Sequence, residues 1–479
     1  MKGSTLQLYA NYGFQGMTFP DPIANNLQGT YGNMTDPNYL YYSDAEIANQ
    51  AQSWLANKRV GDQPWCLTVG FQNPHDQEFF PSGTEYQNFT DQFANPTVNP
   101  SGYVQNEAWQ SAATVNPTTP VPNALMNPPS YGYPSIPPNW QSGSVLQSTK
   151  PLGQIFNKTF CEAEWGGVNG TSSVTTFTIS PYPSPSTPYA GYTPPTKLGI
   201  GYAPYAYWQK ALNLYTYLQT VVDAKIGQVL DAMRPEVAKN TIVVFTSDHG
   251  DYVGAHGLVA GKTISMYDEA LRVPLIIYDP TGKFTGDIDN VRTQLTSSVD
   301  VMPMLVGLGN GGQTSWMQGD YQTMYGGRYN MFPILKSSSV AGLDYALFAT
   351  DEVIDDKFDF ATAPDQDRQR TPVHIVGVIT AQYKLGVYSK WPAGSVEASP
   401  VGREYEYYDY SSDPERLEIN NTYSSSLTAE AIKDNLLSNL VPNILKKPLP
   451  DTYRLAQEKA KAGMIAFNLL ETKTLAGFG

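Results

Sequence analysis

The feature that most constrains this chain is the run Thr241-Ile-Val-Val-Phe245, followed by Thr-Ser-Asp248-His249-Gly250-Asp251. Apolar or β-branched residues in unbroken succession leave no polar face, the pattern of a strand buried on both sides. Such a strand needs helices packed against it, which commits the chain to a layered α/β core. In open α/β sheets, ligands sit just beyond the carboxyl ends of the strands. Here that end carries a hard carboxylate, Asp248, and a borderline nitrogen donor, His249. The loop runs on through His256-Gly257 to Lys262, which can bring a positive charge back to the same place. Asp248 and His249 suit a divalent cation with oxygen-rich coordination. Lys262 and a second strand-end histidine, His75, suit an oxyanion such as sulfate or phosphate. Two ligands do not complete a metal site, and a packed turn histidine with a solvated lysine would show the same spacing.

The flanking segments continue the alternation. Ser43-Asp-Ala-Glu46 has the form of a capping box, and Ile47, Ala51, Trp54 and Leu55 follow at helical spacing. Trp65-Cys-Leu-Thr-Val-Gly-Phe71 reads as another buried strand, ending on the polar corner Gln72-Asn-Pro-His75-Asp76. Leu214, Leu218, Val222, Ile226 and Val229 form the apolar stripe of a long helix that Pro235 closes. Leu275-Ile-Ile-Tyr278 reads as a third strand, 267–271 as a helical turn and 299–305 as a further helix. This order predicts an α/β domain over residues 1–335, with a mixed, mostly parallel sheet flanked by helices. Beyond it, strand-like runs at 345–350, 373–380, 383–388 and 405–410 precede helical patterns from Ala429. They predict a smaller α+β domain over 336–479, an antiparallel sheet plus helix. Residues 80–200 are rich in Pro, Ser, Thr, Gly, Asn and Tyr and show little periodicity. They read as an irregular surface insertion, equally a lid over a cleft or a neutral excursion. Residues 1–42 are loop-like, an unusual opening for a globular chain.

A length of 479 residues exceeds the size at which one core keeps growing. The net charge of −14 argues against non-specific nucleic-acid binding, which needs a basic footprint. It leaves room for a local cationic pocket that takes small anions. Two cysteines, Cys66 and Cys161, rule out a disulfide scaffold and a thiolate-rich zinc cluster. Cys66, in an apolar run, reads as buried and inert, and one disulfide between the pair stays open. No apolar run approaches the roughly 20 residues a membrane helix needs. The start, Met1-Lys-Gly-Ser-Thr-Leu-Gln, has no signal-peptide core.

The run from Asn240 through Asp248-His249-Gly-Asp-Tyr-Val-Gly-Ala-His256-Gly-Leu, Gly-Lys262 and Tyr267-Asp-Glu-Ala-Leu-Arg-Val-Pro-Leu-Ile-Ile277 resembles the distal signature of the sulfatases, members of the alkaline phosphatase superfamily. The segment from Trp65 to His75 resembles that family's strand ending in Pro-His. Tyr405-Glu-Tyr-Tyr-Asp-Tyr-Ser-Ser-Asp-Pro-Glu415 resembles its C-terminal segment. The resemblance implies an alkaline-phosphatase-like fold and metal-dependent cleavage of a sulfate monoester. Asp248 and His249 then match the metal ligands, for calcium in the first instance and for manganese or magnesium otherwise. Lys262 matches the lysine that holds the sulfate oxygens, and His75 the histidine that contacts the same oxyanion. Either could protonate the leaving alcohol. In the family the nucleophile is the hydrate of formylglycine, made from a cysteine or serine.

The family's proximal motifs depart from this sequence. They are an Asp-Asp pair after the first strand, Cys-x-Pro-x-Arg, and a Gly-Lys-Trp-His segment. Cys66 is followed by Leu-Thr-Val69 and Cys161 by Glu-Ala-Glu164, so neither matches the formylglycine site. Asp355-Asp356 lies in the C-terminal region. Tyr12-Gly-Phe14 resembles a segment just downstream of the proximal motifs, so the expectation is a truncated chain carrying the distal half of a site, inactive or nearly so alone. The implied substrate is a sulfated small molecule or glycan, with no nucleic-acid partner and no membrane span. A periplasmic or secreted location is favoured over a cytoplasmic one. The alternatives are a phosphonate monoester or phosphodiester hydrolase of the same superfamily, or a non-catalytic oxyanion-binding homologue.

Overall fold

A computed structural model describes residues 42–75, 77, 136–155, 157–158, 205–258, 260–351, 372–392 and 394–470, with the short strands at 104–105, 179–181 and 198–200. The readings at 1–41, at Cys161 and at Asp355-Asp356 lie outside these residues. The chain divides into two compact units. The first comprises Met1–Gln92, Asn106–Pro134 and Ala206–Asn240, and the second Phe93–Gln105, Ser135–Tyr205 and Thr241–Gly479.

In the first unit the helix Tyr42–Leu55 packs through Ala48, Ala51 and Leu55 against Val229 of the long helix Tyr205–Asp231. Both helices follow from the apolar stripes in the sequence. Ser43 falls inside the first turn rather than at a cap. The residue that matters is Asp44, fully buried, whose carboxylate accepts from the Gln72 and Asn73 amides (2.8 and 3.3 Å) and from Asn73 Nδ2 (2.6 Å). The run Trp65 to Phe71 differs from its reading as a buried strand. Among the described residues it is extended without a ladder partner, and burial alternates. Trp65, Leu67, Val69 and Phe71 face the helices, whereas Cys66 is an exposed free thiol instead of a buried one. A period of two with one covered face is what a half-buried segment shows.

All the strands described belong to the second unit. They are β1 (Val104–Gln105), β2 (Ile179–Pro181), β3 (Leu198–Ile200), β4 (Val243–Thr246), β5 (Leu275–Tyr278), β6 (Ala346–Asp351), β7 (His374–Ile379), β8 (Tyr383–Ser389) and β9 (Glu404–Asp409). β3 pairs parallel with β1 and antiparallel with β2. β4 pairs antiparallel with β5, Val243 opposite Tyr278 and Thr246 opposite Leu275. The sequence reads β4 as buried on both faces in a parallel sheet, and here the structure differs. Val244, Leu275 and Ile277 pack on Met304, Met331, Ile334 and Leu335, while Phe245, Ile276 and Tyr278 are exposed. Among the described residues the β4–β5 connection holds a 3-10 turn at Ala255–Gly257 and the helical turn Asp268–Leu271, neither long enough to act as the crossover helix of a parallel return. An antiparallel pair tolerates one open face.

β6 to β9 form an antiparallel meander in sequence order, as the four strand-like runs predict. Its core of Val376, Val378, Leu385, Val387 and Tyr407 is covered by Ala429, Leu436 and Leu440. The covering helix Leu427–Asn435 starts at Ser426, whose hydroxyl accepts from the Ala429 amide. On the opposite side Met266 presses onto the cross-strand pair Gly377 and Gly386, where a Cβ on Gly377 would stand 2.1 Å from Met266 Cε. Among the described residues no helix is long and apolar enough to cross a membrane.

Residues 136–158 also differ from their reading as part of a surface excursion. Asn139, Gln141, Leu146, Lys150, Gln154, Ile155, Asn157 and Lys158 are buried in the second unit. Their polar atoms are satisfied by distant partners, so the burial leaves no periodic apolar trace. Lys150 Nζ, for example, donates to Tyr408 Oη (2.8 Å) and to the Glu418 carbonyl (2.6 Å). Burial pulls its pKa down from 10.5 to about 8, against the pull of Glu406 and Glu418.

Candidate metal and oxyanion site

β4 ends at Thr246, and the next residues build a corner out of their own backbone. Ser247 Oγ donates to the His249 carbonyl (2.7 Å), and the His249 amide donates to Asp248 Oδ1 (2.9 Å). The Gly250 amide donates to the Ala270 carbonyl (2.9 Å), which ties the corner to the helical turn Asp268–Leu271. A Cβ at Gly250 would lie 1.9 Å from the Glu269 carbonyl oxygen, so only glycine allows this approach.

His249 Nδ1 is 2.8 Å from the Gly250 carbonyl oxygen. A carbonyl only accepts, so Nδ1 carries a proton and donates it to that oxygen. Nε2 stands 3.4 Å from Asp248 Oδ2, and both side chains reach solvent, at 35% and 82% exposure. Metal-binding imidazoles are oriented in this way, the far N–H given to a backbone carbonyl. The pair therefore fits two ligands of a divalent cation. Among the described residues no group of three or more His, Cys, Asp and Glu side chains converges to hold a metal. Asp248 and His249 would supply only part of a coordination shell.

The loop beyond is wound tightly. Val253, His256 and Ile264 have φ of 48°, 53° and 55°, and Gly254, Gly257 and Gly261 have φ of 94°, 76° and 97°. β-Branched residues rarely hold left-handed backbone unless their surroundings impose it. His256 is one anchor. It is buried, stacked on Tyr267 at 3.4 Å between ring centroids, with Nδ1 3.0 Å from Gln141 Oε1 and Nε2 3.2 Å from Asn139 Nδ2. Asn139 Nδ2 also donates to Glu269 Oε1 (2.6 Å). Burial holds the His256 pKa below 6.5 despite the nearby Glu269 carboxylate. Lys158 Nζ donates to the Gly257 carbonyl (2.8 Å). Lys262 is half-buried on this braced loop.

Asp248, His249 and Lys262 thus share the second unit, on one continuous loop. His75 belongs to the first unit. It is half-buried at the corner that Asp44 holds, and its amide donates to the Gln72 carbonyl (3.3 Å). His374 sits elsewhere, with Nδ1 2.5 Å from Asp351 Oδ1 at the paired ends of β6 and β7. Sequence reasoning passed over Asn139, Gln141, Asn157, Lys158 and Tyr252. Nothing in their spacing marks them, because their contacts with the loop span up to 117 positions.

Asp248 and His249 thus stand just beyond the end of a strand, and a braced loop leads on from them to Lys262. The chain belongs to the sulfatase family, whose Sulfatase family model matches residues 2–311. Over 95 residues it is 41% identical to an uncharacterized sulfatase of Escherichia coli, covering 20% of this chain and 18% of that protein. Over 89 residues it is 39% identical to an arylsulfatase of Clostridium perfringens, covering 18% of each. The matched region spans about a fifth of the length of these curated relatives. Among solved structures, it is similar to a presumed sulfatase from Bacteroides thetaiotaomicron, with TM-score 0.51 and 19% identity over 90% of this chain and 69% of that one. It is also similar to phosphonate monoester hydrolase of Agrobacterium radiobacter, with TM-score 0.50 and 16% identity over 91% and 68%. These two likenesses show the fold.

Proposed function

We propose that this chain carries the cation-binding and sulfate-binding part of a sulfuric ester hydrolase, acting on a sulfated small molecule or glycan. The observation that carries the reading is the Asp248–His249 pair, with Nδ1 engaged by Gly250 and Nε2 turned to the carboxylate, in a chain of the sulfatase family. Asp248 and His249 would hold the cation, with calcium the first choice and manganese or magnesium the alternatives. When bound, the cation would neutralise negative charge on the transferring sulfuryl group. Lys262 acts as a point charge on the sulfate oxygens. It is also the group that delivers the proton to the leaving alcohol. Relatives whose names specify sulfated sugars, such as iduronate 2-sulfatase of Mus musculus, support the glycan side of the substrate class. Neither cysteine lies in a Cys-x-Pro-x-Arg sequence, so the reading gives these 479 residues binding without a cysteine-derived formylglycine of their own.

The test is isothermal titration of the 479-residue chain with sulfate in the presence of calcium. Sulfate binds in this reading, and Lys262→Ala weakens it about tenfold or more, the worth of a hydrogen bond to a charged group. Asp248→Ala abolishes calcium binding. Unaltered sulfate affinity in Lys262→Ala would remove the lysine from the site. A second reading, a phosphonate monoester hydrolase, has the fold likeness in its favour. Tighter binding of an aryl phosphonate than of an aryl sulfate would select it.

A further inference from the structure

The bonds around Lys262 converge on its two neighbours. Tyr252 is 1% exposed, and its amide donates to the Gly261 carbonyl at 3.0 Å. Its hydroxyl donates to the Thr263 carbonyl at 2.7 Å. A phenol has one proton to give, so the Ser265 hydroxyl, 2.6 Å away, donates to the Tyr252 oxygen. The Thr263 carbonyl takes a second bond from Asn157 Nδ2 (2.8 Å), and Thr263 Oγ1 donates to Asn157 Oδ1 (3.1 Å). One buried tyrosine therefore holds the carbonyls on both sides of Lys262, and a buried asparagine from a hundred positions upstream doubles the hold on one of them.

We propose that Tyr252, seconded by Asn157, is a positioning residue for Lys262. It fixes the backbone on either side of the lysine, so that the ammonium meets the anion from a set direction. The inference rests on the reading of Lys262 as the sulfate-holding group. Its physical basis is entropic. A lysine side chain has four rotatable bonds, and a point charge restrains a substrate only as well as its own base is held. The segment itself does not favour this conformation, since Gly261 and Ile264 on either side have φ of 97° and 55°. A core tyrosine needing only to bury its hydroxyl would require one partner. Tyr252 instead spends its amide and its hydroxyl on the residues before and after the same lysine.

The experiment uses the 479-residue chain, wild type and Tyr252→Phe, which keeps the ring and removes the hydroxyl. Lys262 is labelled with acetic anhydride and followed by peptide mass spectrometry, with exposed Lys283 as internal reference. Calcium and sulfate binding are titrated in parallel. The expected result is faster labelling of Lys262 relative to Lys283. Sulfate affinity falls about fivefold, the net worth of one hydrogen bond, and calcium affinity at Asp248–His249 stays unchanged. Equal losses of sulfate and calcium affinity would show a merely structural tyrosine and overturn the proposal. Unchanged labelling of Lys262 would overturn it whatever sulfate does. Faster labelling in a protein that binds no sulfate would uphold the positioning of Lys262 and sink the reading of its anion. Should Tyr252→Phe fail to fold, Asn157→Ala removes the second bond to Thr263, and the same three readings decide.

Discussion

Single atoms decide the strand-end corner. At Gly250 a methyl group would meet the Glu269 carbonyl oxygen at 1.9 Å, and the Gly250–Ala270 hydrogen bond holds the two backbones together there. Gly250→Ala should therefore lose about 1–3 kcal/mol of stability in urea denaturation, and calcium binding at the adjacent Asp248–His249 pair should weaken with it. A variant as stable as wild type would mean the corner yields freely. His256 gives a pH dependence whose sign follows from its burial. Its folded pKa lies below 6.5, so the unfolded chain binds the extra proton first as pH falls. The His256 contribution is complete above about pH 6.5 and is lost as the pH drops below it. The groups acting on the ring are Glu269 and Glu406, which favour its charge, and Lys150, which opposes it. Wild-type stability should fall between pH 7 and pH 5 in a way that His256→Asn does not share. Parallel profiles for the two proteins would contradict this.

Elements are joined by buried charge as much as by apolar contact. Lys384 on β8 is fully buried, and its ammonium reaches the Met266 carbonyl, Asp268 Oδ1 and Glu418 Oε1, each at 2.6 Å. It thereby fastens the β6–β9 meander to the helical turn Asp268–Leu271, the turn on which Gly250 rests. Glu418 in turn accepts from the Asp268 amide (3.0 Å) and the Tyr410 hydroxyl (2.8 Å). Removing the lysine alone would strand the buried Glu418 and leave Asp268 with its longer pairs to Arg416 (3.6 Å) and Arg272 (3.9 Å). Lys384→Met should cost about 3–5 kcal/mol, the usual penalty of breaking a buried pair, measured by equilibrium unfolding. A cost below about 1 kcal/mol would place the pair among weak surface bridges. At this scale the sequence was readable in part. The four strands of the meander are short strand-like runs with turns between them, so they are found within a residue or two. β4 was located but its surroundings were not, because an apolar run looks the same whether one face is covered or both.

For the molecule as a whole, Asp248, His249 and Lys262 carry a joint prediction. The 479-residue chain should bind calcium and sulfate yet show no turnover of an aryl sulfate above background. Robust turnover would require a nucleophile other than the one the sulfatase resemblance implies. Binding of neither ion would leave the family fold without the proposed function.

The sequence by itself determined the family, the long helices, the meander and the presence of a carboxylate and an imidazole at the end of β4. All of these rest on local spacing or on short contiguous motifs, which a linear reading preserves. Only the tertiary structure decided which nitrogen of His249 faces Asp248, since that depends on a carbonyl one residue away turning toward Nδ1. Only it showed that Asn139, Gln141, Asn157 and Lys158, from a stretch without periodicity of its own, are buried against the loop that carries Lys262. Hydrogen bonds such as Asn157 to Thr263 join residues 106 positions apart, and polar side chains that satisfy one another across that distance leave no pattern in the order of the chain.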